Sequence, residues 1–167
     1  MKKILIITAI IGLALASCSK DKEQTIKNAY VYDGTTYVIS GAFFQENLPH
    51  WLNLIITPSN RASLQEVFDD KSDNFYISIS AELLGTKIDL NVDNGGPSPV
   101  NGIFFRNEVL YRFEEKNKYG NLSGSDNWVK VTKNSAGNFT LEFGMTLEGK
   151  RLEGNYTGNF TESFIIG

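Results

Sequence analysis

The chain has 167 residues, of which 41% are hydrophobic and 21% charged, and its 16 basic and 19 acidic side chains give a formal net charge of −3. This length predicts a single domain, and the apolar fraction is sufficient for a packed core rather than a disordered chain. One His and one Cys exclude most metal and thiol chemistry, because such sites need several of these side chains.

The first 17 residues have the pattern of a secretory signal peptide. A cationic start, Met1-Lys2-Lys3, precedes an uncharged apolar run from Ile4 to Ala16. As a helix this run would be about 20 Å long, short of the roughly 30 Å hydrocarbon core of a bilayer. The pattern therefore predicts a cleaved signal peptide over residues 1–17 rather than a membrane-spanning helix.

The end of this segment, Leu15-Ala16-Ser17-Cys18, resembles the lipobox of bacterial lipoproteins. The resemblance implies cleavage before Cys18 and attachment of diacylglycerol to its thiol, with two or three acyl chains in all, palmitate among them. A single chain binds a membrane only reversibly, whereas two or more hold stably. Cys18 is therefore the predicted lipidation site of a protein that is anchored to a membrane without spanning it.

Residues 18–27 are predicted to form a flexible tether, since Ser19 to Gln24 contains no apolar side chain. The run Lys20-Asp21-Lys22-Glu23 resembles the surface-export signal of Bacteroidota lipoproteins. This resemblance implies an outer-membrane location, with cell-surface display as the first expectation and a periplasm-facing position as the alternative.

Cleavage would also change the charge of the chain. Without Lys2 and Lys3, the remaining 150 residues carry 14 basic and 19 acidic side chains and a net charge of −5. Such an acidic domain repels phosphate backbones, and no cluster of Lys and Arg offsets this. We therefore expect no nucleic-acid partner.

From residue 28 onward the chain is predicted to form strands and turns. Asp33-Gly34, between two short runs of aromatic and β-branched residues, is a strong hairpin signal. Ser63 to Phe68 is the one predicted helical segment, with Asn60 or Ser63 as its N-cap. Further strands are predicted at 29–32, 36–39, 52–57, 75–81, 88–92, 128–132 and, as one or two strands, within 102–115.

The last forty residues give the clearest pattern. Apolar residues alternate along 139–147, the turn Glu148-Gly149 follows, and the alternation returns along 152–160. This period of two indicates antiparallel strands with one face in water. We predict an all-β fold with minimal helix, in which residues 28–167 form a single domain of about eight to ten strands, either an antiparallel β-barrel or a β-sandwich meander.

The closing segment from Ser123 to Phe160, together with the Tyr32–Tyr37 hairpin, is similar to the β-meander of small Bacteroidota lipoproteins, some of them described as calycin-like barrels. The resemblance covers about a third of the chain. It implies the compartment and a β-rich fold. Most such families have no assigned biochemical function, so it implies no active site.

Residues with catalytic or metal-binding potential do not combine into a known site. His50 stands alone, and the Asp89-x-Asn91-x-Asp93 pattern lacks the Glu that a calcium loop needs at its twelfth position. The doublets Asp69-Asp70 and Glu114-Glu115 are interpreted as solvated surface charges, since adjacent strand residues point to opposite faces. We predict no catalytic residues, no metal site and no cofactor.

Aromatic side chains are the best candidates for ligand contacts. Rings beside polar neighbours suit sugars and peptides, and Trp51, Tyr119 and Trp128 are the predicted ligand-binding residues. The alternative is that the rings pack in the core or in cross-strand pairs.

Three functions are compatible with these features. The first is a non-catalytic lipoprotein that binds a glycan, a peptide, a small ligand or an envelope protein. The second is a structural or accessory subunit of a surface complex, which a large exposed apolar patch would favour. The third is an enzyme that uses carboxylates or tyrosines alone, such as a carboxylate-based hydrolase, which would require two convergent carboxylates in one cleft.

Overall fold

The structure is a computed structural model that describes residues 27–47, 50–92, 98–115 and 118–163. The predicted signal peptide and Cys18 lie outside these ranges. Within them the chain forms strands β1 (Ala29–Tyr32), β2 (Thr35–Val38), β3 (Gly41–Asn47), β4 (Trp51–Thr57), β5 (Asn74–Ser80), β6 (Lys87–Asp89), β7 (Val100–Arg106), β8 (Val109–Glu114), β9 (Trp128–Ser135), β10 (Asn138–Leu147), β11 (Lys150–Asn159) and β12 (Thr161–Glu162), with helix α1 (Leu64–Asp69) and a 3₁₀ turn at Ala81–Leu83.

These strands form two six-stranded sheets. Sheet A has the order β2-β1-β11-β10-β9-β6, and sheet B has the order β12-β3-β4-β5-β7-β8. All pairings are antiparallel except that of β12 with β3. The all-β prediction is confirmed, and of the two predicted architectures the fold is an open sandwich rather than a closed barrel.

The described part of the chain contains more strands than the eight to ten expected. The two additional ones are β3 and the two-residue β12. Strand β3 was missed because it is apolar on both faces: Phe44 belongs to the core between the sheets, whereas Phe43 packs on the opposite side. A strand buried on both faces shows no alternation in the sequence.

The main core lies between the sheets and is rich in aromatic rings. Phe75 of sheet B stacks on Phe143 of sheet A, with ring centroids 4.1 Å apart, and on Phe113, 5.3 Å away. Phe75, Phe113 and Phe143 are each at most 1% exposed. Offset stacking of this kind adds to the stabilisation that comes from burial of the rings.

Local turn chemistry follows the sequence signals. In the β1–β2 turn, Asp33 and Gly34 have φ angles of 50° and 77°, as a two-residue hairpin turn with positive φ at both positions requires. In α1, Ser63 is the N-cap and its Oγ accepts a hydrogen bond of 3.3 Å from the Glu66 N–H. The hairpin and the capped helix are thus confirmed.

Helix α1 lies on the outer face of sheet B. Leu64 and Val67, three residues apart on one helical face, are buried against Phe43 and Ile55 of the sheet. The outer face of sheet B is therefore partly covered by protein.

A cluster of tyrosines and one arginine lies where β1 and β2 face β7. Arg106 forms an ion pair of 2.7 Å with Asp73 and donates a hydrogen bond to the Tyr37 hydroxyl. Tyr30 stacks on Tyr37 at 5.1 Å. Burial, with a contribution from Asp73, raises the pKa of Tyr30 above its usual value. Within the described residues, the buried Tyr30 hydroxyl has no hydrogen-bond partner.

Candidate functional site

The outer face of sheet B carries an open groove of about 670 Å³ beside α1. We call it the apolar groove. Its walls are Val67 and Phe68 of α1, Tyr76 of β5, Ile103 and Phe105 of β7 and Leu110 of β8, with Lys71, Asn74 and Glu108 completing the lining. Small-molecule sites typically have volumes of about 300–1,000 Å³ and mostly apolar walls with a few polar groups. The apolar groove fits this description.

The β7–β8 hairpin forms the floor of this groove through its strand alternation. Gly102 and Phe104 are buried on the core side, so Ile103 and Phe105 face outward. In the register of the hairpin, Phe105 pairs with Leu110. Leu110 remains 46% exposed and Phe68, on the helix side, 40% exposed. Large apolar side chains are thus left accessible on both sides of the groove.

A second, smaller groove of about 320 Å³ continues along the same hairpin, and we call it the polar groove. Asn101, Arg112, Glu114 and Tyr119 line it together with Ile103. Because Ile103 also lines the apolar groove, the two grooves are adjacent.

Charged groups distinguish the polar groove. The Arg112 guanidinium carbon lies 5.7 Å from the centre of the Tyr119 ring, within the range of a cation–π contact. Glu114 is only 7% exposed, and its Oε1 lies 3.8 Å from the Lys118 ammonium nitrogen. The polar groove therefore presents an accessible cation, while its carboxylate is already paired.

The outer face changes character step by step along the hairpin. The cross-strand pairs are Phe105 with Leu110, then Ile103 with Arg112, then Asn101 with Glu114. Successive outward positions on a strand are about 6.8 Å apart. Over about 14 Å the surface thus passes from purely apolar to purely polar.

Tyr76 forms part of the wall and is held by a polar neighbour. Its hydroxyl donates a hydrogen bond of 3.1 Å to Asn53 Oδ1, and Asn53 is 7% exposed. Burial raises the pKa of Tyr76 above its usual value. The Tyr76 hydroxyl therefore remains a hydrogen-bond donor into the alkaline range, and its bond to Asn53 holds the ring in place.

The structure does not bring the three predicted ligand-binding residues together. Tyr119 lines the polar groove and is 46% exposed. Trp51 is half-buried at the start of β4 in sheet B. Trp128 begins β9 in sheet A, where the Lys87 ammonium lies 4.2 Å from its ring centre. Among the described residues, Tyr119 is thus the predicted residue that meets a groove.

Sequence reasoning did not identify the residues of the apolar groove. The available signal was the run Ile103-Phe104-Phe105, which places large apolar side chains on both faces of one strand. Such a strand needs cover on its outer face as well as its inner face. What the sequence does not show is that α1 covers only part of that face.

Of the other polar candidates, Glu114 lines the polar groove, and the described remainder line neither groove. His50 is exposed in a turn. Asp89 Oδ1 accepts a hydrogen bond of 2.8 Å from the Asn91 N–H, and Asp93 lies outside the described residues. The interpretation of Glu114-Glu115 as solvated charges is wrong, because these side chains are 7% and 2% exposed.

Over residues 27–47, 50–92, 98–115 and 118–163, no group of three or more His, Cys, Asp and Glu side chains is placed to hold a metal ion. Over the same ranges, no helix has the length and apolar character needed to cross a bilayer.

Comparison with known proteins gives no match: no protein-family model matches the chain, and no match is found among curated proteins or solved structures.

Proposed function

We propose that this protein is a lipid-anchored lipoprotein of the outer membrane whose β-sandwich binds a small apolar or amphipathic ligand without catalysis. The lipobox-like segment ending at Cys18 supports the anchor. The apolar groove on the outer face of sheet B is the single observation that carries ligand binding. Display at the cell surface is the preferred orientation, on the basis of the charged run after Cys18.

Ligand binding explains why two large apolar side chains stay accessible to solvent although the core of the fold does not require them. The core between the sheets is complete without Phe68 and Leu110, which lie outside it and remain about 40–46% exposed. Contiguous accessible apolar groups on a protein surface commonly mark an interaction site. The volume of the groove suits a small molecule rather than a protein domain.

We propose binding without catalysis because the described residues that line the apolar groove do not form a set of catalytic side chains. Its lining is mainly hydrocarbon and aromatic, and the accessible charges at its rim, Lys71 and Glu108, have opposite signs and belong to turns. The sole histidine, His50, is not among the lining residues.

Binding can be measured with residues 19–167, since the described sheets lie entirely within residues 29–162. An environment-sensitive apolar dye should bind and gain fluorescence. The double substitution Phe105→Gln and Leu110→Gln should weaken binding at least tenfold, because it replaces two neighbouring apolar side chains, a cross-strand pair on the floor of the groove. Val38→Gln is the matched control, since Val38 is a 67% exposed apolar residue on sheet A. Equal binding by both variants and the wild type would contradict the proposal.

The anchor is tested separately in cells. Labelled palmitate should be incorporated into the full-length protein and not into a Cys18→Ser variant, which should also leave the membrane fraction. Protease treatment of intact cells should degrade the protein if it is displayed at the surface. Protection until the outer membrane is opened would favour the periplasm-facing orientation.

A second candidate is an accessory subunit that adds a partner strand to sheet B. The observation that favours it is the exposure of Val109 and Leu110, 47% and 46%, on the edge strand β8. An extended peptide can pair with such an edge. Chemical cross-linking in intact cells would reveal a defined partner, and Val109→Lys should weaken that cross-link, because a charged side chain on an edge strand disfavours pairing with another strand. Dye binding should be unchanged, since Val109 does not line the apolar groove.

A further inference from the structure

The two grooves on the outer face of sheet B are adjacent, and we infer that they form one site for a single-chain amphiphile with an anionic carboxylate head. The hydrocarbon chain lies in the apolar groove, and the carboxylate pairs with Arg112 in the polar groove. This inference rests on the proposed function, since it assumes that the apolar groove binds a ligand.

The continuity of the site comes from Ile103. This side chain lines both grooves, and its cross-strand partner is Arg112. A hydrocarbon chain that lies over Phe105 reaches Ile103, the position opposite Arg112, after about 7 Å, one step of the outward-facing strand positions.

The charge of the head group follows from the polar groove. Arg112 is exposed, and in the described part of the chain no carboxylate lies within ion-pair distance of it, whereas Glu114 lies 3.8 Å from Lys118. A cationic head group would have to displace Lys118 from a carboxylate that is 7% exposed. An anionic head group finds an accessible guanidinium, which binds carboxylates through two parallel hydrogen bonds.

Among the described residues that line the apolar groove, Lys71 carries a positive charge. Glu108 lines the same groove and carries the opposite charge. The lining of the apolar groove thus includes one cation and one anion, with no net charge to favour an anionic head group there. The electrostatic attraction on a carboxylate head group is therefore strongest at the Arg112 end of the site.

The test compares ligands that share one chain and differ in the head group. Residues 19–167 are titrated at pH 8 with decanoate, decanol and decyl glucoside, each well below the concentration at which it forms micelles, and binding is measured by displacement of an apolar dye. We expect decanoate to bind at least tenfold more tightly than decanol. Arg112→Gln should remove that advantage and leave decanol binding unchanged, and Arg112→Lys should retain part of it.

Lys71→Gln tests the opposite orientation of the ligand, because it removes the cation in the lining of the apolar groove. A loss of decanoate affinity in Lys71→Gln but not in Arg112→Gln would overturn the inference, as would equal binding of decanoate and decanol to the wild type. Tighter binding of decyl glucoside would overturn it in favour of a sugar head. In these three cases the apolar groove still binds and the proposed function stands.

Failure of all three ligands and of the dye to bind would overturn the proposed function together with this inference. The thermal unfolding midpoint of Arg112→Gln should equal that of the wild type, since Arg112 is an exposed side chain on an edge strand.

Discussion

The outer faces of the two sheets have different chemistry, although their inner faces build one core. On sheet A, polar side chains pair across the strands: Thr140 bonds Thr157 at 3.1 Å, and Lys130 lies 3.9 Å from Glu142. On sheet B, helix α1 and the apolar groove occupy the corresponding surface. The outer face of sheet A is thus exposed to water, whereas the outer face of sheet B carries a second, smaller core and has space for a ligand.

The strongest test of this difference is removal of the helix contact. Leu64→Ala should destabilise the protein by about 2–5 kcal/mol, because Leu64 is 1% exposed and its loss leaves a cavity under α1. Denaturant unfolding of residues 19–167 would measure this. Gln65→Ala, at an exposed position of the same helix, is the control and should change stability by less than about 0.5 kcal/mol. If the two variants had equal stability, the second core would make no contribution.

Substitutions at two glycines, Gly102 and Gly144, test how crowded the inner face of sheet B is relative to the outer face of sheet A. A Cβ on Gly102 would lie 2.6 Å from the Tyr76 carbonyl oxygen and against the Phe113 ring, both of which are fixed by the fold. Gly102→Ala should therefore cost about 1–3 kcal/mol. Gly144 is buried beneath side chains of the outer face of sheet A, where a Cβ would meet the end of the Arg151 side chain and the Trp128 ring.

Gly144→Ala is accordingly expected to cost less than Gly102→Ala, since Arg151 can move into solvent. Thermal unfolding midpoints of the two variants would rank them. The reverse order would mean that the Trp128–Arg151 surface is as rigid as the core.

The hydroxyl groups of Tyr76 and Tyr30 differ in their hydrogen bonding. Tyr76→Phe should cost about 1–2 kcal/mol, because Asn53 Oδ1 would lose its hydrogen bond while remaining buried. Tyr30→Phe should be close to neutral at pH 7, because the buried Tyr30 hydroxyl has no partner within the described residues.

The burial of these two tyrosines also predicts how the free energy of unfolding changes at alkaline pH. Burial raises both pKa values in the folded state, so the folded chain holds its phenolic protons above the unfolded pKa near 10. The associated stability is complete below about pH 10 and is lost as the pH rises further. Unfolding free energies at pH 8 and pH 11 should therefore show a smaller loss for Tyr30→Phe than for the wild type. An equal loss would contradict this role for Tyr30.

The same difference between the sheets explains what the sequence could predict. The β10–β11 hairpin was predicted because its polar residues face water and alternate with Phe139, Leu141 and their neighbours. Helix α1 was predicted over Ser63 to Phe68 with Asn60 or Ser63 as its N-cap, and the structure places the cap at Ser63. Strand β3 was missed, because Phe43 and Phe44 are both buried and no alternation remains.

The candidate site was predictable only where a residue carries its own chemical signal. Tyr119 was selected for its ring and lines the polar groove. Ile103, Phe105 and Phe68 are ordinary core residue types, and only the packing of α1 on sheet B, with its long-range contacts, shows that they border an open groove. Cys18 and the lipid anchor remain predictions, since they lie outside the described residues.

The smallest expected effect concerns the solvated face of sheet A. Lys130→Ala removes an ion pair of 3.9 Å whose side chains are both 37% exposed, so the loss should be at most about 0.5 kcal/mol and should decrease at high salt. Denaturant unfolding at 0.05 M and 1 M salt would detect it. A loss above 1 kcal/mol that is independent of salt would mean that this face is covered in solution, and the contrast between the two outer faces would no longer hold.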